Sequence, residues 1–216
     1  MPGKVVLYVM AALAVATLVV LSAIHGHAPH TAADWLAPIG PAVSVAGLGL
    51  WLFDRYAWRW PGVRRLVGRP VLHGTWHGEL ASDYETDETG ERIPVDSDVF
   101  LVIRQWFWQV TVRLLTRESD SASSLANFTI SPDGVQQLVW VYTNTPRTEV
   151  RDRSPIHHGG VVISAPRDPT YGLEGAYFTD RKTRGELRFS QRYKTLIESH
   201  MGGRALVGAS EGQATD

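Results

Sequence analysis

Two charge-free apolar runs near the N-terminus constrain this chain more than any other feature. Val5 to Ile24 is a run of twenty residues, interrupted only by the mild polarity of Thr17 and Ser22, and Trp35 to Phe53 is a second of nineteen. A helix rises 1.5 Å per residue, so about 20 residues cross the ~30 Å hydrocarbon core of a bilayer. Both runs are therefore predicted membrane spans. A cleaved signal peptide has a shorter apolar stretch followed by small residues, whereas His25-Gly26-His27 follows the first run here. Pro38 and Pro41 fall near the start of the second run, where a helix tolerates proline. The short stretch between the runs permits a helical hairpin, giving a two-helix anchor over residues 1–58, with spans at about 5–24 and 35–53.

Charge orients the hairpin. Lys4 precedes the first run, Arg55, Arg59, Arg64, Arg65 and Arg69 follow the second, and the connecting loop has neither lysine nor arginine. The positive-inside rule then places both termini of a multi-pass chain in the cytoplasm. Residues 59–70 read as a basic juxtamembrane linker, with Trp58 and Trp60 interleaved with Arg55 and Arg59 as an interfacial belt. Ala12 and Ala16 in the first run, and Gly40, Ser44 and Gly47 in the second, would let helices approach closely. Packing of the hairpin on itself is the simpler use, and packing between copies stays open. His25, His27 and His30 share a short external loop with only Asp34 as a nearby carboxylate, so no metal site is expected.

The formal net charge of -1 argues against a DNA or RNA duplex as partner, and the absence of cysteine excludes disulfides and thiolate metal sites. From Val71 onward, short runs of β-branched, aromatic and alternating residues are separated by Gly, Pro, Asp and Asn, which predicts an all-β domain over residues 71–200. Eight strands are expected, at about 71–81, 97–105, 106–117, 120–131, 134–145, 156–166, 171–180 and 184–193. Ser131-Pro132-Asp133-Gly134 has hairpin-turn chemistry, and Asp180-Arg181-Lys182-Thr183 joins the last two strands. The acidic stretch from Asp83 to Pro94 reads as a solvated loop, and 201–216, rich in Gly, Ala and Ser, as a disordered tail.

Alternation assigns the faces. Trp106, Trp108, Val110, Val112 and Leu114 fall on one side of the third strand, Leu138, Trp140, Tyr142 and Asn144 on one side of the fifth, and Leu173, Gly175, Tyr177 and Thr179 on one side of the seventh. The inner faces of the last two grow more polar towards one end. Short connections throughout favour an up-and-down meander, so the fold expected is an eight-stranded antiparallel, lipocalin-like β-barrel, with a two-sheet sandwich as the alternative. Arg188 is expected to lie over Trp76 and close the barrel floor. His157 and His158, being adjacent in a strand, face opposite ways and cannot readily serve one site. There is no nucleophile elbow, phosphate-cradling glycine loop or metal-ligand spacing, so neither catalysis nor a cofactor is expected. On residue type alone, the tyrosines suit core filling as well as ligand stacking, and Arg181 suits a solvated turn. A membrane-tethered carrier of an apolar small molecule, or a ligand-free scaffold, also fits that pattern.

Several short motifs narrow the choice. They are Gly74-Thr75-Trp76-His77-Gly78, Ile103-Arg104-Gln105-Trp106, Ser119-x-Ser121-x-Ser123-Ser124, Tyr142-x-Asn144-x-Pro146, His157-x-Gly159, and Leu173-x-Gly175-x-Tyr177-x-Thr179-x-Arg181-x-Thr183-x-Gly185. In this order, behind a helical hairpin, the set resembles the two-transmembrane, β-strand-rich effectors of bacterial CBASS anti-phage systems (SMODS-associating effectors). The resemblance covers nearly the whole chain. It implies a receptor for a cyclic oligonucleotide, in the first instance a cyclic dinucleotide, made by a partner synthase after phage infection. It also implies ligand-driven self-association, inner-membrane damage and abortive infection. For such a ligand, bases would stack on Tyr142, Tyr177 and Trp106. Arg181, Thr179, Thr183, Ser121, Ser123 and Asn144 would donate to phosphate, sugar and base oxygens.

Overall fold

A computed structural model describes residues 8, 11–17, 19–20, 39–83, 98–166 and 172–213. The chain divides into two compact units: Met1–Arg69 with Trp106–Trp108, and Pro70–Gln105 with Gln109–Asp216.

In the first unit, the described residues 8, 11–17 and 19–20 of the first apolar run are helical. Helix α1 (Ile39–Arg55) takes up most of the second run, and a single 3-10 turn (Ala57–Arg59) leads into α2 (Pro61–Val67). Pro61 at the first position of α2 and Gly68 in the left-handed conformation at its end are the expected start and stop. Among the described residues no helix is long and apolar enough to cross a membrane. α1 has 17 residues and begins at Ile39; 35–38, the remainder of the first run and the loop bearing His25, His27 and His30 lie outside the described residues. The two helical segments do meet: a Cβ added at Gly49 would lie 3.2 Å from Leu13 Cδ1. The small residues named from sequence are not at that contact, since Ala12, Ala16, Gly40, Ser44 and Gly47 are exposed.

The second unit is a closed barrel in which each strand pairs antiparallel with the next and the last closes on the first. Its strands are β1 (Gly74–Asp83), β2 (Val99–Gln105), β3 (Val110–Leu115), β4 (Ser119–Ile130), β5 (Gln136–Pro146), β6 (His157–Ser164), β7 (Leu173–Thr179) and β8 (Arg184–Tyr193). This is the up-and-down order expected. The alternation in β5 and β7 is also observed, with Leu138, Trp140, Tyr142 and Asn144 buried and Val141 exposed, and in β7 Leu173 buried and Gly175, Tyr177 and Thr179 half-buried between the exposed Glu174, Ala176 and Phe178. Gly134, with φ at +87°, completes the β4–β5 turn, where the Ser131 N–H donates to Val135 O at 2.9 Å. The acidic loop after β1 lies outside the described residues from 84 to 97.

Three expectations are corrected. Trp106 and Trp108 do not begin the third strand. The Phe107 N–H donates to Asp54 O (3.1 Å) and the Trp108 N–H to Asp54 Oδ1 (2.9 Å), so the backbone there serves α1 and β3 starts only at Val110. The barrel floor is closed by Arg192, not Arg188. The Arg192 guanidinium lies 5.3 Å from the centroid of the Trp76 ring, and Trp76 Nε1 donates to Leu72 O at 2.9 Å, while Arg188 pairs outward with Glu186. Finally, the tail is ordered as α3 (His200–Gln213). Ile197, Leu196, Leu206 and Val207 pack on Phe100, Val102 and Leu115, outward-facing side chains of β2 and β3. A Cβ at Gly203 would meet the Phe100 ring at 2.6 Å, so the glycines that weaken the helix locally are what let it sit close.

Candidate functional site

The core fills one end of the barrel with Trp76, Leu101, Ile103, Leu138, Trp140, Ile163 and Leu187. The other end, where the odd-numbered strands finish, holds a cavity of about 520 Å³. Its wall changes character with depth. Leu80, Leu114 and Val161 line it lower down, and Ser82, Thr116, Ser119, Thr179 and Thr183 higher up.

Tyr142 and Tyr177 both line the cavity, and each lies against a glycine on the next strand. Tyr142 pairs with Gly159, where an added Cβ would come within 2.5 Å of the phenol Cζ and Oη. Tyr177 pairs with Gly185, where it would come within 2.5 Å of Cε1. The glycines of the His157-x-Gly159 and Thr183-x-Gly185 motifs therefore clear the ground on which the two rings lie. Burial pushes the Tyr142 phenol up to about 12, with smaller contributions from Tyr177 and Asp180, so this ring is a neutral hydroxyl at any physiological pH.

Polar groups converge beside the rings. The Ser121 hydroxyl donates to Asn144 Oδ1 at 2.7 Å, and both residues are buried. With its oxygen engaged, Asn144 presents its amide NH2 as donor. Thr179 and Thr183 share a 2.6 Å hydroxyl–hydroxyl bond across the β7–β8 turn. The cationic groups come from turns. Arg117 is exposed at the cavity mouth, and Arg153 pairs with Glu118 at 2.6 Å. Arg181 does not line the cavity. It donates through Nη1 to Ser154 Oγ (2.9 Å) and through Nη2 to Arg153 O (3.4 Å), tying the β5–β6 connection to the β7–β8 turn.

Six of the nine residues named from sequence thus meet at one cavity: Ser121, Tyr142, Asn144, Tyr177, Thr179 and Thr183. Arg181 stands behind it. Ser123 turns away, its hydroxyl accepting from the Val112 N–H at 2.9 Å, and a bulge separates it from Leu125. Trp106 belongs to the other unit, under the Arg55 guanidinium at 4.9 Å, and has no part in the site.

Residues 67–191 match the family model of the Cap15 cyclic dinucleotide receptor domain, and every residue lining the cavity falls in that range. The chain belongs to this family. No curated protein matches the chain. Membership bears out the resemblance to the CBASS two-transmembrane, β-strand-rich effectors and makes the barrel a cyclic dinucleotide receptor domain.

Sequence reasoning missed Arg117, Glu118, Arg153, Ser154 and His157 of this Cap15-family cavity. A signal for them was available. In a meander, every turn that follows an odd-numbered strand lies at the same end, so once Tyr142 and Asn144 at the end of β5 are placed, the 116–119 and 147–156 connections must share their rim. His157 faces the cavity while His158 bonds Thr143 outside, as their adjacency required. Among the described residues no group of three or more His, Cys, Asp or Glu is arranged to hold a metal.

Proposed function

We propose that the cavity of this Cap15-family chain binds a cyclic dinucleotide made by a partner synthase during phage infection. On this reading the occupied receptor self-associates in the bacterial inner membrane, disrupts it, and ends growth of the infected cell. The reading rests on one observation. Two aromatic faces, a buried amide donor, seven serine and threonine hydroxyl groups and two guanidinium groups converge on a single cavity of about 520 Å³ inside the family-matched residues. That volume lies within the roughly 300–1,000 Å³ usual for small-molecule sites.

The chemistry suits the ligand part by part. Bases stack on Tyr142 and Tyr177, each stack being worth about 1–3 kcal/mol. The Asn144 amide, held by Ser121, donates to a base or sugar acceptor. Arg117 and Arg153 take the phosphates, Arg153 by exchanging Glu118 for a phosphate oxygen. A carrier of apolar molecules would have no use for this rim, and a filled scaffold would have no cavity.

Residues 1–58 act as the membrane anchor, both termini being cytoplasmic, and residues 71–200 as the sensor. The exposed small residues Gly40, Ser44 and Gly47 on α1 offer a face for close packing between copies. Ligand drives assembly only if it binds the assembled state more tightly than the single copy. Calorimetric titration of the full-length chain in detergent with a panel of cyclic di- and trinucleotides tests the sensor role. Saturable one-site binding of a dinucleotide is expected, and a panel without any binder would overturn the reading.

A further inference from the structure

The aromatic residues of the first unit sort into a buried plug and an exposed set. Trp58 is fully buried, edge-on to Phe107 at 6.1 Å, and Phe107 meets Phe53 edge-on at 4.9 Å. Trp58 therefore cannot serve the interfacial belt expected of it. Around the plug, Tyr56 (58%), Trp60 (65%), Leu66 (70%) and Trp108 (56%) are exposed. Four side chains of this size left in solvent within one small unit are the composition of an interaction surface.

Charge selects the partner. Residues 39–69 hold five arginines and a single acid, Asp54, whose carboxylate and carbonyl both accept from the backbone of residues 107 and 108. The cluster is thus strongly basic. Tryptophan and tyrosine sit favourably in the headgroup layer of a bilayer, apolar body inward and polar tip outward, and arginine is drawn there by anionic lipid. A nucleic acid would answer the arginines but gives nothing to cover Leu66. The cluster is also continuous with α1, which exposes Val43, Leu48, Trp51 and Leu52 immediately before it.

We infer that Tyr56, Trp60, Leu66 and Trp108, with Arg65, form a headgroup-binding surface that lies on an anionic lipid bilayer. Trp108 is the informative member, because it comes from the connection between two barrel strands and not from the N-terminal segment. The chain therefore touches the bilayer twice, once through its helices and once through the β2–β3 connection. This rests on the membrane anchoring proposed above, and the test separates the two.

The chain has no cysteine, so Trp108→Cys, Leu66→Cys and, on the barrel exterior, Leu125→Cys each accept one nitroxide label. The full-length labelled chains are reconstituted into vesicles of equimolar phosphatidylcholine and phosphatidylglycerol, and relaxation by oxygen is compared with relaxation by a water-soluble nickel chelate. Positions 66 and 108 are expected to favour oxygen, as lipid-exposed sites do, and position 125 to favour nickel. In phosphatidylcholine alone, or with Arg64→Glu and Arg65→Glu, the preference at 108 is lost. Alkaline extraction of the same vesicles reports on the anchor. An inextractable chain with an aqueous label at 108 overturns the surface and spares the anchor; an extractable chain with a lipid-exposed label at 108 does the reverse. Immobilisation at 108 by protein contact, or a lipid preference indifferent to vesicle charge, also overturns it.

Discussion

Gly159 is where the shape of the cavity can be changed by a single methyl group. In Gly159→Ala the new Cβ would lie 2.5 Å from Cζ and Oη of Tyr142 and 2.6 Å from Phe178 O. Relaxed carbon contacts are about 3.5–4.0 Å, so one partner must retreat by roughly 1 Å. The Phe178 carbonyl cannot, because Gly160 and Phe178 are paired in the β6–β7 ladder. The β6 backbone must therefore shift away from that carbonyl, and the Tyr142 ring must move as well, at an overpacking cost of about 1–3 kcal/mol. If that ring stacks a base, losing the stack removes about 1–3 kcal/mol of binding, which is a loss of roughly 5- to 150-fold in Kd. Gly160→Ala is the matched control. Its Cβ would strike the Phe178 ring at 2.6 Å, on the outside of the barrel, where the exposed ring can swing away. Urea unfolding gives the two stability changes and calorimetry the two affinities. We expect both variants to lose stability and only Gly159→Ala to lose affinity. Undiminished binding by Gly159→Ala would refute a role for the Tyr142 ring, and equal weakening by both would reduce the effect to general strain in β6.

Arg117 is exposed and makes no ion pair among the described residues, so Arg117→Ala should leave the unfolding midpoint unchanged. It should weaken ligand binding by roughly 10- to 150-fold, the worth of about 1.5–3 kcal/mol for a charged hydrogen bond; unchanged affinity would remove it from the phosphate site. The raised Tyr142 phenol predicts an alkaline instability. The neutral ring is favoured in the folded state, so its contribution is complete below about pH 10 and is lost as pH rises towards about 12. The whole effect is at most about 3 kcal/mol. Tyr142→Phe should therefore lose less stability than the parent between those pH values, and parallel curves would contradict it. Replacing Ser44 and Gly47 by leucine should reduce ligand-induced toxicity without changing affinity, since both are exposed and nothing lies within 4 Å of a Cβ on Gly47; unaltered toxicity in cells would separate that face from the output step.

The barrel was legible because its information is local. Alternation in Leu138-x-Trp140-x-Tyr142-x-Asn144 states which side is inside, and Ser131-Pro132-Asp133-Gly134 states where the chain turns back. Register is not local. Which arginine sits opposite Trp76 depends on the bulge between His77 and Gly78, which shifts the pairing of β1 with β8 and brings Arg192 to that position. Alternation also ran on too far, through Trp106 and Trp108, because a period of two cannot register that Asp54, some fifty positions earlier, claims their backbone. The tail misled by composition. Four glycines in α3 argue against a helix in isolation, and only the outward faces of Phe100 and Leu115, themselves unreadable as a dock, make it worthwhile. The site followed a similar division: Tyr142, Asn144, Tyr177 and Thr179 were found by alternation, Ser121 and Thr183 through the motifs of the resemblance, and the turn-borne Arg117 and Arg153 were not found.

The strand order also sets the sequence of events by which this receptor is made. Seven of the eight pairings join neighbours along the chain, and β1 with β8 alone brings together residues as distant as Thr75 and Tyr193. Hairpins between neighbours pay little loop-closure entropy and form early; the seam pays the most and forms last. During synthesis β1 therefore leaves the ribosome with one edge unpaired and keeps it so until β8 follows. That edge is an open template for a strand of another chain. Slow translation through residues 84–97 or the later hairpins would prolong that exposure, so yield in cells should depend more on the pace of elongation than on the stability of the finished barrel.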